Sequence, residues 1–183
     1  MKFPPDSRTK QRFILTGNTP AAWFLSADSL LAGARVLISQ LQPPSDGPIG
    51  SPVPPEEKLL SPAFLLYGFA LECLLKGLWL RQGNELVIGE KYVGIPGIGG
   101  HELHNIAKKV NFTVNDQEHS VLYGLHVKLV SSSRYPVGTH WSKHRPVYHA
   151  NGGFGSHTTF NSGDIPIIET MAARLITALG YDG

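Results

Sequence analysis

The side chains that could do chemistry are concentrated between Arg134 and Arg145, in the segment RYPVGTHWSKHR. This segment holds two arginines, a lysine, two histidines and two aromatic residues, and it contains no acid. Basic side chains neutralise phosphates, and aromatic rings stack on bases with roughly 1–3 kcal/mol for each base. The pattern therefore indicates an RNA or nucleotide contact. The candidate binding residues are Tyr135, Trp141, Lys143, His144 and Arg145.

The same segment lies inside a longer run without acids. No Asp or Glu occurs between His119 and Gly163, whereas six of the eight histidines lie there. The formal net charge of the chain is only +2, which does not by itself indicate nucleic-acid binding. The prediction of an RNA or nucleotide contact therefore depends on the local excess of basic residues in this segment. The alternative is a basic surface loop whose aromatic residues belong to the core.

Two histidines of the same segment have a spacing that could also bind a metal ion. His140 and His144 have the i,i+4 spacing that on a helix would direct two imidazoles to one metal ion. Pro136 and Pro146 flank the pair closely, so any helix there would be short. We therefore expect solvated histidines and no metal ion.

The glycine-rich segment before His101 matches neither the zinc-protease motif nor the phosphate-binding P-loop. His101 and His104 are too close for the zinc-protease motif, which needs three residues between its histidines. Gly100 is followed by a histidine, whereas a phosphate-binding P-loop continues with Lys and then Ser or Thr. The segment is predicted to be a flexible connection, and no cofactor is expected.

Glu72 and Lys76 are the only charges before the last turn of an otherwise apolar predicted helix. The glutamate precedes the lysine by four residues, which is the favourable order for an ion pair. Charges on such a helix are costly to bury unless they are paired or partly hydrated. Two interpretations remain open: a structural ion pair, or a stripe that lines a groove or a subunit interface.

The elements that would position these residues are helices. Apolar residues recur at three- and four-residue spacing, with Thr19, Ser61 and Asn115 as predicted N-caps and Gly180 as the predicted end of the last helix. No run shows the alternation typical of a strand, and residues 134–163 are expected to be irregular. The fold prediction is all-α, an antiparallel four- to five-helix up-and-down bundle forming a single domain over residues 1–183. The predicted helices cover roughly residues 20–41, 61–82, 101–110, 115–133 and 164–179.

Composition and cysteine content favour a cytoplasmic protein without a membrane span. Cys73 is the only cysteine, which excludes an intrachain disulfide and fits a reducing compartment. The N-terminal residues contain no apolar segment typical of a secretory signal. The most apolar run, residues 63–80, contains Glu72 and Lys76, so it is predicted to be a core helix.

Three motifs together resemble the HEPN-domain proteins. They are the helix YGFALECLLKGLWL with Glu72 and Lys76, the sequence GHEL from Gly100 to Leu103, and the sequence SSSRYPV with Arg134. The resemblance covers about residues 20–180. It implies an all-α bundle, often a homodimer, of the kind found in prokaryotic defence and toxin–antitoxin systems. Many members are metal-independent ribonucleases with an arginine, four to six residues and then a histidine, a spacing that Arg134 and His140 fit.

The resemblance leaves three hypotheses. In the first, the protein is an endoribonuclease in which His140 is the general acid or base and Arg134 holds the phosphate oxygens. In the second, the same surface binds RNA, a nucleotide or a partner protein without catalysis. In the third, the chain is a helical subunit that pairs with a cognate partner such as a nucleotidyltransferase antitoxin.

Overall fold

The computed structural model describes residues 7–41, 59–132, 146–148, 154–156, 160 and 162–181. These residues form an antiparallel helical bundle with two short strand pairs, which confirms the predicted fold class. Residues 116–127 form a helix that continues into a π-helical segment, Lys128–Ser132. The helices are α1 (Ser7–Gly17), α2 (Pro20–Ser39), α3 (Leu60–Arg81), α4 (Leu103–Lys109), α5 (Asp116–Val127) and α6 (Ile165–Leu179).

The centre of the bundle is α3. More than half of its 22 residues are buried, because α2, α4, α5 and α6 all pack against it. Two glycines of α3 allow side chains from neighbouring elements to pack close to its backbone. A Cβ at Gly68 would lie 3.1 Å from Cγ of Leu129, and one at Gly77 would lie 3.4 Å from Leu179. The prediction that this helix is largely buried agrees with its packing.

Two helices, α2 and α3, are long and apolar enough to cross a membrane by length and composition alone. In α3, two thirds of the apolar stretch is buried inside the bundle, together with the charged residues Glu72 and Lys76. In α2, only about a sixth of the stretch is buried. The apolar character of α3 is explained by its central position in the bundle.

The helix ends follow the predicted signals, with one exception. Asn115 forms a reciprocal capping box with Glu118, and Gly180 ends α6 in the left-handed conformation at φ 74°. Thr19 occupies the N-cap position of α2 as predicted, but its hydroxyl donates to the carbonyl of Leu15 and makes no cap hydrogen bond. The prediction of Ser61 as the cap of α3 is wrong, because the helix begins at Leu60 and its N-terminus has no side-chain cap.

Several elements were not predicted. The helix α1 has no buried residue, and its large apolar residues Phe13, Ile14 and Leu15 are consecutive, so they show no recurrence at three- or four-residue spacing. The strands β1 (Val87–Ile88) and β2 (Lys91–Tyr92) form an antiparallel pair where a flexible connection was expected. The strands β3 (Pro146–Tyr148) and β4 (Phe154–Ser156) pair within the segment expected to be irregular. Strands of two or three residues are too short for an alternating pattern to be visible.

The first strand pair is held to the bundle by the turn between α1 and α2. The side-chain oxygen of Asn18 accepts hydrogen bonds from the backbone N–H groups of Leu86 and Val87, at 2.8 and 2.9 Å. Its amide donates to the carbonyl of Val87 at 2.7 Å. Asn18 therefore fixes β1, and through β1 it fixes the start of the segment that leads to His101.

Candidate functional site

A pocket of about 290 Å³ lies between α3 and the segment that joins β2 to α4. This volume is at the lower end of the range for small-molecule sites. Charged or polar side chains form part of its wall, and isoleucine, valine and glycine residues form the remainder. The polar residues are Glu72, Lys76, Tyr92 and His101, and the others are Val93, Gly94, Ile95, Ile98, Gly100 and Ile106.

Glu72 and Lys76 form an ion pair inside this wall. Only 5% of Glu72 and 7% of Lys76 is exposed, and Nζ of Lys76 donates a hydrogen bond to Oε1 of Glu72. The rings of Trp23 and Tyr92 each lie with their centroids 5.4 Å from that nitrogen. Burial opposes the charge on Lys76, but the Glu72 carboxylate and the Tyr92 hydroxyl outweigh it and raise its pKa. Lys76 is therefore an ammonium group at neutral pH.

The second oxygen of the same carboxylate holds a histidine. Nδ1 of His101 lies 2.6 Å from Oε2 of Glu72, and 40% of the His101 side chain is exposed, compared with 7% for that of Glu72. A carboxylate at Nδ1 favours the tautomer with its hydrogen on that nitrogen, which leaves Nε2 to accept a proton. The pair has the geometry of a general acid–base group at the mouth of a pocket.

The main chain around His101 is also fixed. The carbonyl of His101 lies 3.0 Å from Nδ1 of His126 on α5 and accepts a hydrogen bond at 2.9 Å from the N–H of Leu103. Leu103 is completely buried, so the start of α4 is anchored in the core. Gly100 has φ 23°, a value that side-chain-bearing residues rarely adopt, and this turn brings His101 onto α3.

A second, more open groove of about 590 Å³ lies next to the pocket and shares Ile98 with it. We call it the lysine groove, since Lys108 and Lys109 at the end of α4 are the only charged residues in the described part of its lining. Asn105 and Asn111 add amide groups, and no described acid lines it. A groove of this composition favours an anionic or polar ligand.

A cluster of rings lies behind the His101 turn. The imidazole of His104 lies 5.7 Å from that of His119, 5.5 Å from that of His126 and 5.2 Å from the ring of Tyr123, centre to centre. Burial lowers the pKa of His104, and the neighbouring imidazoles lower it further. Among the described residues, no group of three potential ligands has the geometry to hold a metal ion.

The site residues predicted from the sequence divide into two sets. Glu72 and Lys76 lie together in the pocket wall. The proposed catalytic residues Arg134 and His140 lie outside the described residues, so that pair stays a prediction. The binding residues Tyr135, Trp141, Lys143, His144 and Arg145 also lie outside them.

Sequence reasoning missed His101 and Tyr92 as members of the site. The sequence analysis gave His101 no catalytic role, although the residue belongs to the GHEL sequence, and Tyr92 lies in a segment predicted to be a connection. The available signal for His101 was its place in the GHEL sequence, directly after a run of glycines. No comparable signal marks Tyr92, because its contact with Lys76 depends on the β1–β2 turn.

Comparison with known proteins yields no match: no family model, no curated protein and no solved structure is similar to this chain. The description of the site therefore depends on its own geometry. That geometry defines a helical bundle with a carboxylate, an ammonium group and an imidazole in one pocket.

Proposed function

We propose that the protein is a HEPN-like endoribonuclease that acts without a metal ion and uses His101 and Glu72 as its acid–base pair. The observation that carries the proposal is the half-exposed imidazole of His101, held at 2.6 Å by a buried carboxylate at the mouth of the pocket. A histidine held in this way can take a proton and return it at Nε2, because the carboxylate at Nδ1 fixes the orientation of the ring and its tautomer.

The proposed reaction is an internal phosphoryl transfer. Nε2 of His101 removes the proton of a ribose 2′-hydroxyl, and the 2′-oxygen forms a bond to the adjacent phosphorus atom. The bond from phosphorus to the 5′-oxygen breaks, and that oxygen leaves with the proton returned by His101. The products are a 2′,3′-cyclic phosphate and a 5′-hydroxyl end. Lys76 is the buried counter-charge of the Glu72 carboxylate.

Two neighbouring features support RNA as the substrate. The ring of Tyr92 is nearly half exposed beside the pocket, where it can stack on a base. The lysine groove extends from the pocket and offers two cations to the phosphates of a longer strand. In this proposal the acid-free segment that contains Arg134 and His140 contributes further contacts, and the enzyme acts as a homodimer.

The experiment is cleavage of end-labelled RNA by the purified protein in EDTA. We expect His101→Asn to abolish cleavage while leaving RNA affinity and the circular dichroism spectrum unchanged. His119→Asn, an exposed histidine of α5 outside the pocket, is the matched control and is expected to cleave normally. Full activity in His101→Asn together with loss of activity in His140→Ala would move the catalytic centre to the Arg134–His140 pair. An inactive wild-type protein would overturn the proposal.

The second candidate function is a binding module for RNA or a nucleotide that does no chemistry. The lining of the lysine groove favours it, because the described residues there include two lysines and no acid. Replacing Lys108 and Lys109 by glutamine should then weaken RNA binding and reduce the salt slope by about 1.4, at about 0.7 for each lost phosphate contact on a single strand. Lys10→Gln on α1 is the control. RNA that binds but stays intact would select this function over the first.

A further inference from the structure

Lys128 differs from every other buried charged residue in the described part of the chain. Glu72, Lys76 and Glu118 each belong to an ion pair. Lys128 is only 7% exposed, and its partner is a hydroxyl group, with Nζ donating to Oγ of Ser61 at 2.8 Å. No described carboxylate forms an ion pair with it. A buried ammonium group without a counter-charge is unfavourable, and an anion would relieve that cost.

The partner of Lys128 lies at the positive end of the longest described helix. Ser61 is the second residue of α3, which begins at Leu60 and has no side-chain cap at its N-terminus. The first turn of a helix offers unpaired N–H groups, although Pro62 supplies none in α3, and the helix dipole adds partial positive charge there. The ammonium group of Lys128 is therefore held next to a second source of positive potential, which increases the demand for an anion.

The local backbone places Lys128 there. It is the first residue of the π-helical segment that follows α5, and such segments shift the direction of the side chains after them. Leu129, the next residue, packs on the bare backbone at Gly68 of α3. This contact holds the π-helical segment against α3, within reach of Ser61. Ser61 is exposed, so a solute can reach this end of the helix.

We propose that Lys128, Ser61 and the first turn of α3 form a binding site for a phosphate-type oxyanion. The hydroxyl of Ser61, the ammonium group of Lys128 and the helix N–H groups supply donors of the kinds that bind phosphate. The anion is either a free phosphate or a phosphate group of an RNA strand. The site lies outside the pocket of Glu72 and His101, and it does not depend on the endoribonuclease function.

The surroundings of the Lys128 ammonium group support the proposal. Burial lowers the pKa of this group, and no charged neighbour among the described residues opposes that effect. A bound oxyanion would stabilise the charged form and raise the pKa again. The free and anion-bound proteins should therefore differ in how strongly Lys128 holds its proton.

The first experiment is thermal unfolding of the full chain in inorganic phosphate, with sodium chloride used to keep ionic strength constant. We expect phosphate to raise the Tm of the wild-type protein in a saturable manner. Lys128→Met should lose this shift, and without phosphate it should be at least as stable as the wild type, because an apolar side chain replaces an unpaired charge. Lys91→Met, at an exposed lysine of β2, should keep the shift. A Lys128→Met protein that keeps the shift, or a wild-type protein without one, would overturn the proposal.

A second measurement keeps the test decisive if Lys128→Met does not fold. The lysines of the wild-type protein are labelled by reductive ¹³C-methylation, and the Lys128 signal, assigned with Lys128→Arg, is titrated with and without phosphate. The expected result is a higher pKa of Lys128 in phosphate, and an unchanged pKa would contradict the site.

The same titration with a 5′-phosphorylated oligoribonucleotide and with its dephosphorylated form identifies which molecule carries the bound phosphate. An effect of the phosphorylated form alone indicates an RNA terminus, an equal effect of both indicates backbone phosphate, and an effect of inorganic phosphate alone indicates a free anion.

Discussion

Nδ1 of His101 lies 2.6 Å from Oε2 of Glu72, although the two residues are 29 positions apart in the chain. Oε1 of the same carboxylate accepts a hydrogen bond from Lys76, one helical turn further along α3. A single buried carboxylate thus joins the central helix to the turn that begins α4. The stability of the pocket and the orientation of its imidazole depend on the same group.

Replacing Glu72 by glutamine should strongly destabilise the protein. The change leaves the buried ammonium group of Lys76 without its counter-charge, and breaking a buried ion pair in this way typically costs roughly 3–5 kcal/mol. Urea unfolding measures the loss. The double variant Glu72→Gln/Lys76→Met is the control, and it should recover most of the lost free energy because no unpaired charge remains. A single variant as stable as the wild type would contradict the buried pair.

Truncating the core face of α3 should cost more than truncating an exposed leucine. Leu74 and Leu75 are completely buried, so Leu→Ala at either position should lower the free energy of unfolding by roughly 2–5 kcal/mol. Leu25 on α2 is 62% exposed, and Leu25→Ala should change it by no more than about 0.5 kcal/mol. Chemical denaturation of the three variants tests the difference, and equal losses at all three positions would contradict the packing.

The His104 cluster should make the protein less stable in mild acid. Burial, His126 and His119 lower the pKa of His104 below its ordinary value of 6.5, whereas Glu102 acts in the opposite direction. The unfolded chain therefore binds more protons than the folded chain between the lowered pKa and 6.5, so the free energy of unfolding falls as the pH drops through that window.

Urea unfolding between pH 7.5 and pH 5 measures this effect. His104→Leu removes the titrating group and should reduce the dependence of stability on pH. His119→Gln, at an exposed member of the cluster, should retain most of it. A His104→Leu protein with the same slope as the wild type would assign the dependence to other groups.

The sequence predicted the bundle because its helices carry their own signals. The apolar circumference of α3 indicated a central helix, and Asn115 and Gly180 marked helix ends that the structure confirms. Of the charged and polar pocket residues, the sequence predicted the Glu72–Lys76 pair but not the contact with His101. The spacing of Glu72 and Lys76 is a local feature, whereas the approach of His101 to Glu72 requires the turn at Gly100 and the anchoring of Leu103 in the core. The contact between Lys128 and Ser61 also joins residues that are distant in the sequence. Ser61 was predicted to cap α3 because serine is a common N-cap residue, and its contact with Lys128 was therefore missed.

Two ion pairs of equal length should contribute very differently to stability. Arg174 lies 2.6 Å from Oε1 of Glu118, and Lys10 lies 2.6 Å from Oε1 of Glu90. Glu118 is buried, whereas both members of the Lys10 pair are exposed and screened by water.

Arg174→Met removes the charge that faces this buried carboxylate at the start of α5. The backbone N–H of Asn115 still bonds to the other oxygen of Glu118, and the Arg174 side chain is itself partly exposed, so the expected loss is an intermediate value of about 1–3 kcal/mol. Lys10→Met should leave the midpoint of urea unfolding unchanged within experimental error. If the two substitutions had equal effects, burial of the carboxylate would not decide the strength of these pairs.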